Sequence, residues 1–280
     1  MNDKNIKNHM AGIFTRAAPT YDQVGFRYFN PFGKRLVELI EIPKKAKVLN
    51  VASGRGALLF PTLKKVGSQG SVIGIDLAEG MVQKTTEEII KSGFSNAKMI
   101  QMDAENLKFQ DNTFDIALYG LCIFLFPQYE IALKESYRVL KPYGQIGLST
   151  FYRNAFNGIN WVFDLMEKYS PKNKEKDKQE EEPEVSMFSE FETIEGMQKI
   201  LIKAGYKDIH NKIEEKELTC ENAEELWKDL WSTGFRGAME RISSENLEKF
   251  KEELTQTFPK YSFDDGLHWT IKVLFTFGRK

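Results

Sequence analysis

The sequence predicts a doubly wound α/β fold, and three observations carry that prediction. Between residues 46 and 151, short apolar runs alternate with amphipathic segments, the pattern of βαβ units around a parallel sheet. The first run, Val48-Leu49-Asn50-Val51, passes into Ala52-Ser53-Gly54-Arg55-Gly56-Ala57. Glycines there permit a tight turn and let the backbone approach a ligand where a side chain would clash. The second run, Val72-Ile73-Gly74-Ile75, ends in Asp76, twenty residues after Gly56. An acid at that spacing accepts hydrogen bonds from ribose hydroxyls. The three together read as a nucleotide-cofactor cradle.

Taken in order, strands are expected near 47–52, 71–76, 97–102, 114–119 and 144–151. The segment 80–92 places Met81, Val82, Ile89 and Ile90 on one helical face and closes at Gly93. A helix over 128–140 carries Tyr129, Leu133, Ser136 and Leu140 at helical spacing, stopped by Pro142 and Gly144. The run Lys172 to Glu184 has almost nothing apolar to bury and reads as a solvated loop. Thr193 can cap a helix with Ile194, Met197, Ile200, Leu201 and Ala204 on one face, Gly205 ends it, and a strand follows near 206–216. Trp269, Ile271, Val273, Phe275 and Phe277 alternate, which predicts a last strand. Between these two strands lies a helical block. Its first helix opens at Asn222 with Glu225 three residues on and presents Trp227, Leu230 and Trp231; its second presents Leu247, Phe250, Leu254 and Phe258. The expected divisions are an N-terminal lid over 1–45, a core over 46–151, an insertion over 152–192, core again over 193–216, a helical cap over 217–266 and a final strand over 267–280.

Composition narrows the function. Lys plus Arg number 39 against 40 Asp plus Glu, a formal charge of −1, so no global basic field recruits nucleic acid or an anionic membrane. The two cysteines, Cys122 and Cys220, are far apart, which gives no support to a disulfide framework or a metal cluster. The opening segment has no apolar signal-like core, and the longest apolar run, Ile116 to Phe126, is about half the roughly 20 residues of a spanning helix. The expectation is a cytoplasmic protein with no transmembrane segment, no metal and no nucleic-acid partner.

The glycine loop by itself leaves the cofactor open, since two glycines after an apolar run also make an ordinary tight turn. A dinucleotide site calls for a third glycine three residues after Gly56, and that position is Leu59. Further along, Met102-Asp103-Ala104-Glu105, Phe114-Asp115-Ile116-Ala117, Tyr137-Arg138-Val139-Leu140-Lys141-Pro142-Tyr143-Gly144 and Leu201-Ile202-Lys203-Ala204-Gly205-Tyr206 follow in order. With the loop and Asp76, this ordered set resembles the class I S-adenosylmethionine-dependent methyltransferases. Phe14-Thr15-Arg16-Ala17-Ala18-Pro19-Thr20-Tyr21-Asp22 resembles the N-terminal segment of the ubiquinone and menaquinone biosynthesis C-methyltransferases, and Ala52 matches that branch.

The resemblance implies a Rossmann-like seven-stranded methyltransferase sheet with a helical N-terminal lid and helical insertions capping the active site. It implies S-adenosyl-L-methionine as cofactor, S-adenosyl-L-homocysteine as product and a small-molecule methyl acceptor. The cofactor residues it implies are Tyr21, Ala52, Ser53, Gly54, Gly56, Asp76, Leu77, Met81, Asp103, Ala104, Tyr119 and Gly120. Tyr21 would fold over the cofactor, Asp76 would bind ribose and the Asp103-Ala104 corner adenine; the Pro19-Thr20-Tyr21 stretch also reads simply as a turn between helices. Three positions depart from the pattern. Asn50 replaces the usual acid and loses a charge near the cofactor's ammonium, Ala78 replaces a hydroxyl residue that would cap the next helix, and Tyr143 replaces a glycine.

Methyl transfer from a sulfonium is an in-line displacement of an already activated electrophile, so alignment and a dry pocket matter most and no catalytic residue is assigned. Ligands of open parallel sheets bind at the carboxyl ends of the strands, which places Tyr119, Gly120 and Phe151 toward the reacting methyl. Phe124, Phe156, Trp161, Trp227 and Trp231 are candidates for the wall of an aromatic or lipophilic acceptor pocket, although a helix face carrying Trp227 and Trp231 serves equally as core. His268 is the candidate general base among three histidines, and equally a surface histidine. Two other readings stay open from sequence: a cofactor-binding protein without transfer activity, which Asn50 keeps alive, and an RNA- or ribosome-directed methyltransferase, which the charge balance opposes.

Overall fold

A computed structural model describes residues 2–171 and 190–280, and the charged run Lys172 to Glu184 lies outside the described residues. The chain enters through helix α1 (Asp3–Ala17), whose first turn is capped by the Asn2 side chain, and helix α2 (Phe29–Leu39). Strand β1 (Lys47–Val51) then starts the alternation with α3 (Leu59–Val66), β2 (Ser71–Asp76), α4 (Glu79–Lys91), β3 (Ala97–Gln101), β4 (Phe114–Gly120) and α5 (Tyr129–Val139). After β5 (Leu140–Asn157) come α6 (Asn160–Tyr169), α7 (Ile194–Lys203) and β6 (Lys207–Cys220). Helices α8 (Ala223–Ser232), α9 (Arg236–Met239) and α10 (Ser244–Tyr261) precede β7 (Leu267–Arg279).

The seven strands form one sheet in the order β3-β2-β1-β4-β5-β7-β6. The first five pair in parallel, whereas β7 runs antiparallel to both β5 and β6. Strand order reverses between β1 and β4, so the loops leaving these strands diverge and open a crevice at their carboxyl ends. Side-chain alternation divides the core between the faces. Val48 packs with α2, α3 and the cap helices, and Leu49 and Val51 pack with α5 and α7. The alternating set Trp269, Ile271, Val273, Phe275 and Phe277 all points to the first of these cores.

Helix signals expected from the sequence are present as hydrogen bonds. Thr193 accepts from the Gly196 N–H and Asn222 from the Glu225 N–H, while Gly93 and Gly205 take positive φ just past their helices. Several expectations need correction. Ile90, assigned to the apolar face of α4, is 73% exposed. Strand β5 begins at Leu140, directly after α5, and runs to Asn157 rather than from 144 to 151. Pro142 and Gly144 lie within that strand, at a register shift against β4, and Tyr143 there has φ +64°. Proline has no N–H for the ladder, so the strand bulges around it and loses its period-2 pattern. A second shift against β7 between Phe151 and Phe156 hides the far end in the same way. Strand β6 runs four residues past the expected end at residue 216, to Cys220; it is the charged sheet edge, where polar residues discourage further pairing.

Candidate active site

The glycine loop is held from beneath by a chain of short polar contacts. After β1 the backbone turns through Ala52 at φ +45° and Gly54 at φ +52°, the left-handed region that glycine tolerates best. Ser53 donates its N–H to Ile75 O at 2.9 Å and its hydroxyl to Asn50 Oδ1 at 2.7 Å. Asn50, almost fully buried, donates in turn to Leu118 O at 3.4 Å, so its carboxamide joins β1, β4 and the loop rather than facing a ligand. Arg55 reaches the lid, donating to Ala18 O, and pairs with Glu88 at 2.7 Å. Leu59, where a dinucleotide site would want glycine, is fully buried in the first turn of α3.

Asp76 closes the turn. Its Oδ2 accepts the Gly54 N–H at 2.8 Å and its Oδ1 the Ala78 N–H at 2.9 Å. Ala78 has no side chain to cap α4, and the Gly80 N–H in the first turn of that helix donates instead to Thr15 Oγ1 of α1 at 3.3 Å. Each Asp76 carboxylate oxygen has a second lone pair, so both retain capacity for a ligand hydroxyl. The group is enclosed by protein, and burial pushes its pKa up to about 6 against the three backbone N–H groups that favour the ionised form.

These residues wall a cleft of about 790 Å³, open solvent at its mouth included. Ala52 and Gly54 come from the loop after β1, Asp76, Leu77, Ala78 and Met81 from the exit of β2, and Met102, Asp103 and Ala104 from the exit of β3. Gly120 ends β4, Leu121 and Cys122 follow it, and Lys7, Met10, Ala11 and Phe14 descend from α1 at helical spacing. A Cβ on Gly54 would meet nothing within 4 Å, so its bare Cα faces open space. Tyr21 completes the wall, stacked on Phe29 with ring centroids 4.7 Å apart and edge-on to Phe14 at 6.1 Å. It does so from the turn between α1 and α2, so the turn and the cavity wall are one feature. A carboxylate able to take two hydroxyls, a second carboxylate at the exit of the neighbouring strand and a largely apolar lining fit a nucleoside.

A second cavity of about 280 Å³ shares Ala52, Gly120 and Leu121 with the first and adds Ser53, Phe29, Leu58 and Ser149. Beyond Ser149, on the same face of β5, Phe151 begins an aromatic row. It lies 5.5 Å from Phe124 and 4.8 Å from Phe156, which stacks on Trp269 at 5.6 Å.

Of the cofactor residues expected from sequence, Tyr21, Ala52, Gly54, Asp76, Leu77, Met81, Asp103, Ala104 and Gly120 are brought together around the larger cavity. Ser53 lines the smaller one, and Gly56 lines neither: a Cβ there would strike the Phe60 ring at 2.6 Å. Tyr119 is turned to the opposite face of β4, where its hydroxyl meets Ser136 Oγ at 2.5 Å and Ala132 O at 3.2 Å. Adjacent strand residues cannot both face one side, and Gly120 faces the cavity. Of the acceptor candidates, Phe124, Phe151 and Phe156 form the aromatic row without lining either cavity, and the three tryptophans pack among α6, α8, α9 and α10. Trp161 stacks on Tyr261 at 5.1 Å, Trp227 packs edge-on to Phe250 at 5.6 Å, and Trp231 lies beside Trp227 and under the Arg236 guanidinium. His268 lies at the surface between Glu217 at 2.9 Å and Asp265 at 2.8 Å, and those acids raise its pKa. It lines neither cavity.

The sequence reading passed over Lys7, Met10 and Ala11, although 7, 10, 11 and 14 share one helical face. It also passed over two buried carboxylates under the lid. Asp22 accepts the N–H groups of Phe29 and Asn30 at the start of α2, and Asp229 accepts the Phe26 N–H at 3.2 Å. Burial raises the first to about 6 and the second to about 7.

The sequence profile of the ubiE/COQ5 methyltransferase family matches residues 2–219. The chain belongs to the ubiE/COQ5 methyltransferase family. It is an S-adenosylmethionine-dependent methyltransferase with a Rossmann-like sheet. It is 35% identical over 150 residues to aklanonic acid methyltransferase DauC of Streptomyces sp. (strain C5), covering 54% of this chain and 68% of that protein. It is 27% identical over 275 residues to nocamycin O-methyltransferase of Saccharothrix syringae, covering 95% and 97%. The YcgJ protein of Bacillus subtilis shares the fold, with a TM-score of 0.58 at 18% identity over 89% of this methyltransferase and 98% of that chain. Among the described residues, no helix is long and apolar enough to cross a membrane and no group of three or more His, Cys, Asp or Glu could hold a metal ion.

Proposed function

We propose that this methyltransferase binds its cofactor in the larger cavity and methylates a small aromatic or lipophilic molecule that enters from the aromatic row. The single observation that carries this reading is the contiguity of the two cavities at Ala52, Gly120 and Leu121, with Asp76 and Asp103 lining the larger and with Phe29 and Ser149 lining the smaller, Ser149 being two residues before Phe151. The relatives named for aklanonic acid and nocamycin support a small-molecule acceptor.

When bound, the cofactor supplies a methyl group already activated on a sulfonium. Asp76 would hold the ribose hydroxyls through the lone pairs its backbone donors leave free, and Asp103 would accept from the purine amine. Leu77, Met81 and Tyr21, which line the same cavity, would pack on the cofactor and exclude water. The lid over 1–45 and the cap over 217–266 enclose the acceptor, and Gly120 leaves its path to the methyl unobstructed. In this reading orientation within a dry pocket is the protein's main contribution to rate.

The test has two arms. Calorimetry should show binding of S-adenosylmethionine and S-adenosylhomocysteine, and a well-folded protein that binds neither would overturn the cavity reading. A mass-spectrometric screen of phenols, carboxylic acids, amines and quinols should then find a gain of one methyl group. Phe151→Ala should raise the KM of the acceptor so found by about tenfold, the loss of one large aromatic contact, with S-adenosylhomocysteine affinity unchanged. Loss of cofactor affinity instead would put the acceptor on the wrong side.

A further inference from the structure

The first helix meets the Asp103 end of the cavity with one charged side chain. Of the four α1 residues lining it, Lys7 is the only one with an ionisable group. Its ammonium donates to Asp103 Oδ2 at 2.7 Å and lies against Glu105 Oε2, in a contact where the Lys7 side chain is 18% exposed and that of Glu105 only 7%. The remaining oxygens are also engaged. Asp103 Oδ1 accepts the Glu105 N–H at 2.9 Å, and Glu105 Oε1 accepts the Gln128 N–H at 2.9 Å. One network thus ties α1 to the loop after β3 and to the start of α5. Burial opposes the ammonium, but the bonds to Asp103 and Glu105 outweigh it and hold the Lys7 pKa above the usual lysine value.

We propose that Lys7 is a cofactor-positioning residue that acts through Asp103 and Glu105, fixing the acceptor for the purine amine and holding α1 down over that edge of the cavity. The inference rests on the cofactor reading above. A carboxylate oxygen has lone pairs for two donors, so Asp103 Oδ2 can serve the ammonium and an amine together. Without the ammonium, Asp103 and Glu105 are neighbouring carboxylates with no cation between them, and α1 keeps its ties at the two ends, Asp3 to Gln128 and Thr15 to Gly80, but loses this one between them. A ligand then has to order Asp103 and α1 on binding, which lowers affinity.

The experiment measures S-adenosylhomocysteine binding by calorimetry to the wild type, Lys7→Met, Lys7→Arg and Asp76→Ala. It repeats the titration with S-inosylhomocysteine, whose purine carries an oxygen where adenine has its amine. Lys7→Met should weaken S-adenosylhomocysteine by about tenfold, one charge-assisted contact, and Lys7→Arg should recover it to within about threefold. The inosine analogue should lose clearly less than S-adenosylhomocysteine does, because it has no amine to meet the acceptor and bears only the cost of ordering α1. Amide hydrogen exchange in residues 3–17 should quicken in Lys7→Met, and cofactor KM should rise while kcat holds. Unchanged or tighter binding by Lys7→Met overturns the proposal, tighter binding marking the ammonium as a competitor of the amine. Equal losses for both ligands also overturn it, since they mark a general structural role. If Asp76→Ala binds as well as the wild type, the cavity reading itself fails; if only that variant loses binding, the cavity stands and Lys7 does not position the cofactor.

Discussion

In the proposed reading, Asp76 serves the fold and the ligand with the same two oxygens. It closes the glycine loop through Gly54 and Ala78, and its spare lone pairs face the cavity. Asp76→Ala removes two charge-assisted acceptors, so S-adenosylhomocysteine should bind about a hundredfold more weakly by calorimetry. Asp76→Asn, which keeps one oxygen, should lose less. Asn50 has a different lesson. Its sequence position suggested a missing charge near the ligand, but its carboxamide is occupied by Ser53 and Leu118. Asn50→Asp would set a carboxylate oxygen against the Leu118 carbonyl. The expected result is a loss of about 1–3 kcal/mol in stability, read by denaturant unfolding, with no gain in cofactor affinity. Tyr119 and Gly120 show the limit of reading residues by spacing. The sequence brought both to the end of β4, and only the strand's facing decided that the glycine meets the cavity.

At the scale of elements, α1 is the part on which the site most depends. It packs on α4 so closely that a Cβ on Gly80 would come within 2.6 Å of Thr15 O and 2.9 Å of Thr15 Cα. Those are backbone atoms that cannot rotate away. Gly80→Ala should therefore lift α1, costing about 1–3 kcal/mol of stability, weakening cofactor binding and speeding proteolysis within residues 3–17. A variant as stable and protease-resistant as the wild type would show that α1 adjusts freely. The outer side of α1 is fastened to the cap, where Arg16 and Arg236 share Glu240. Two glycines make similar approaches between lid and cap: Gly25, in the turn before α2 at φ +68°, lies under Asp229, and Gly237, in α9, lies under Ile13. The cap helices were legible from their periodicity, but their tryptophans were not. An apolar stripe looks the same whether it faces a neighbouring helix or a ligand, and here α10 takes it.

For the whole molecule, the buried carboxylates make stability and ligand binding respond to pH in opposite directions. Asp22, Asp76 and Asp229 titrate near 6, 6 and 7 in the folded protein, raised by burial above the ordinary aspartate value of 3.8. The folded state therefore binds more protons than the unfolded one between about pH 4 and 7, and stability declines as pH rises through that window. Glu214 and Glu240, held down to about 2 mainly by hydrogen bonds from Arg35 and Arg16, act the other way. Their contribution is present above about pH 4.5 and is lost as pH falls toward 2. Thermal unfolding should thus give a maximum Tm near pH 5. Cofactor affinity, which needs ionised Asp76, should fall over the same descent from pH 7.5 to 5. A Tm that peaks above pH 7 would show that these carboxylates are better solvated than their burial indicates.

The sequence by itself determined the βαβ alternation, the glycine turn with its distant acid, and the family. These follow from periodicity, turn chemistry and short-range spacing, which are local properties of a chain. It did not determine the length of β5, because two bulges broke the pattern that marks a strand. Nor did it place Lys7 beside Asp103, 96 residues away, or separate the phenylalanines of the aromatic row from the tryptophans of the cap. Which side of a strand faces the cavity, and which helix covers an apolar stripe, are settled only when distant segments pack together. The cradle and the existence of a lid were therefore legible in the chain, while the residues through which α1 meets the cradle, Lys7, Met10 and Ala11, were decided by the tertiary structure.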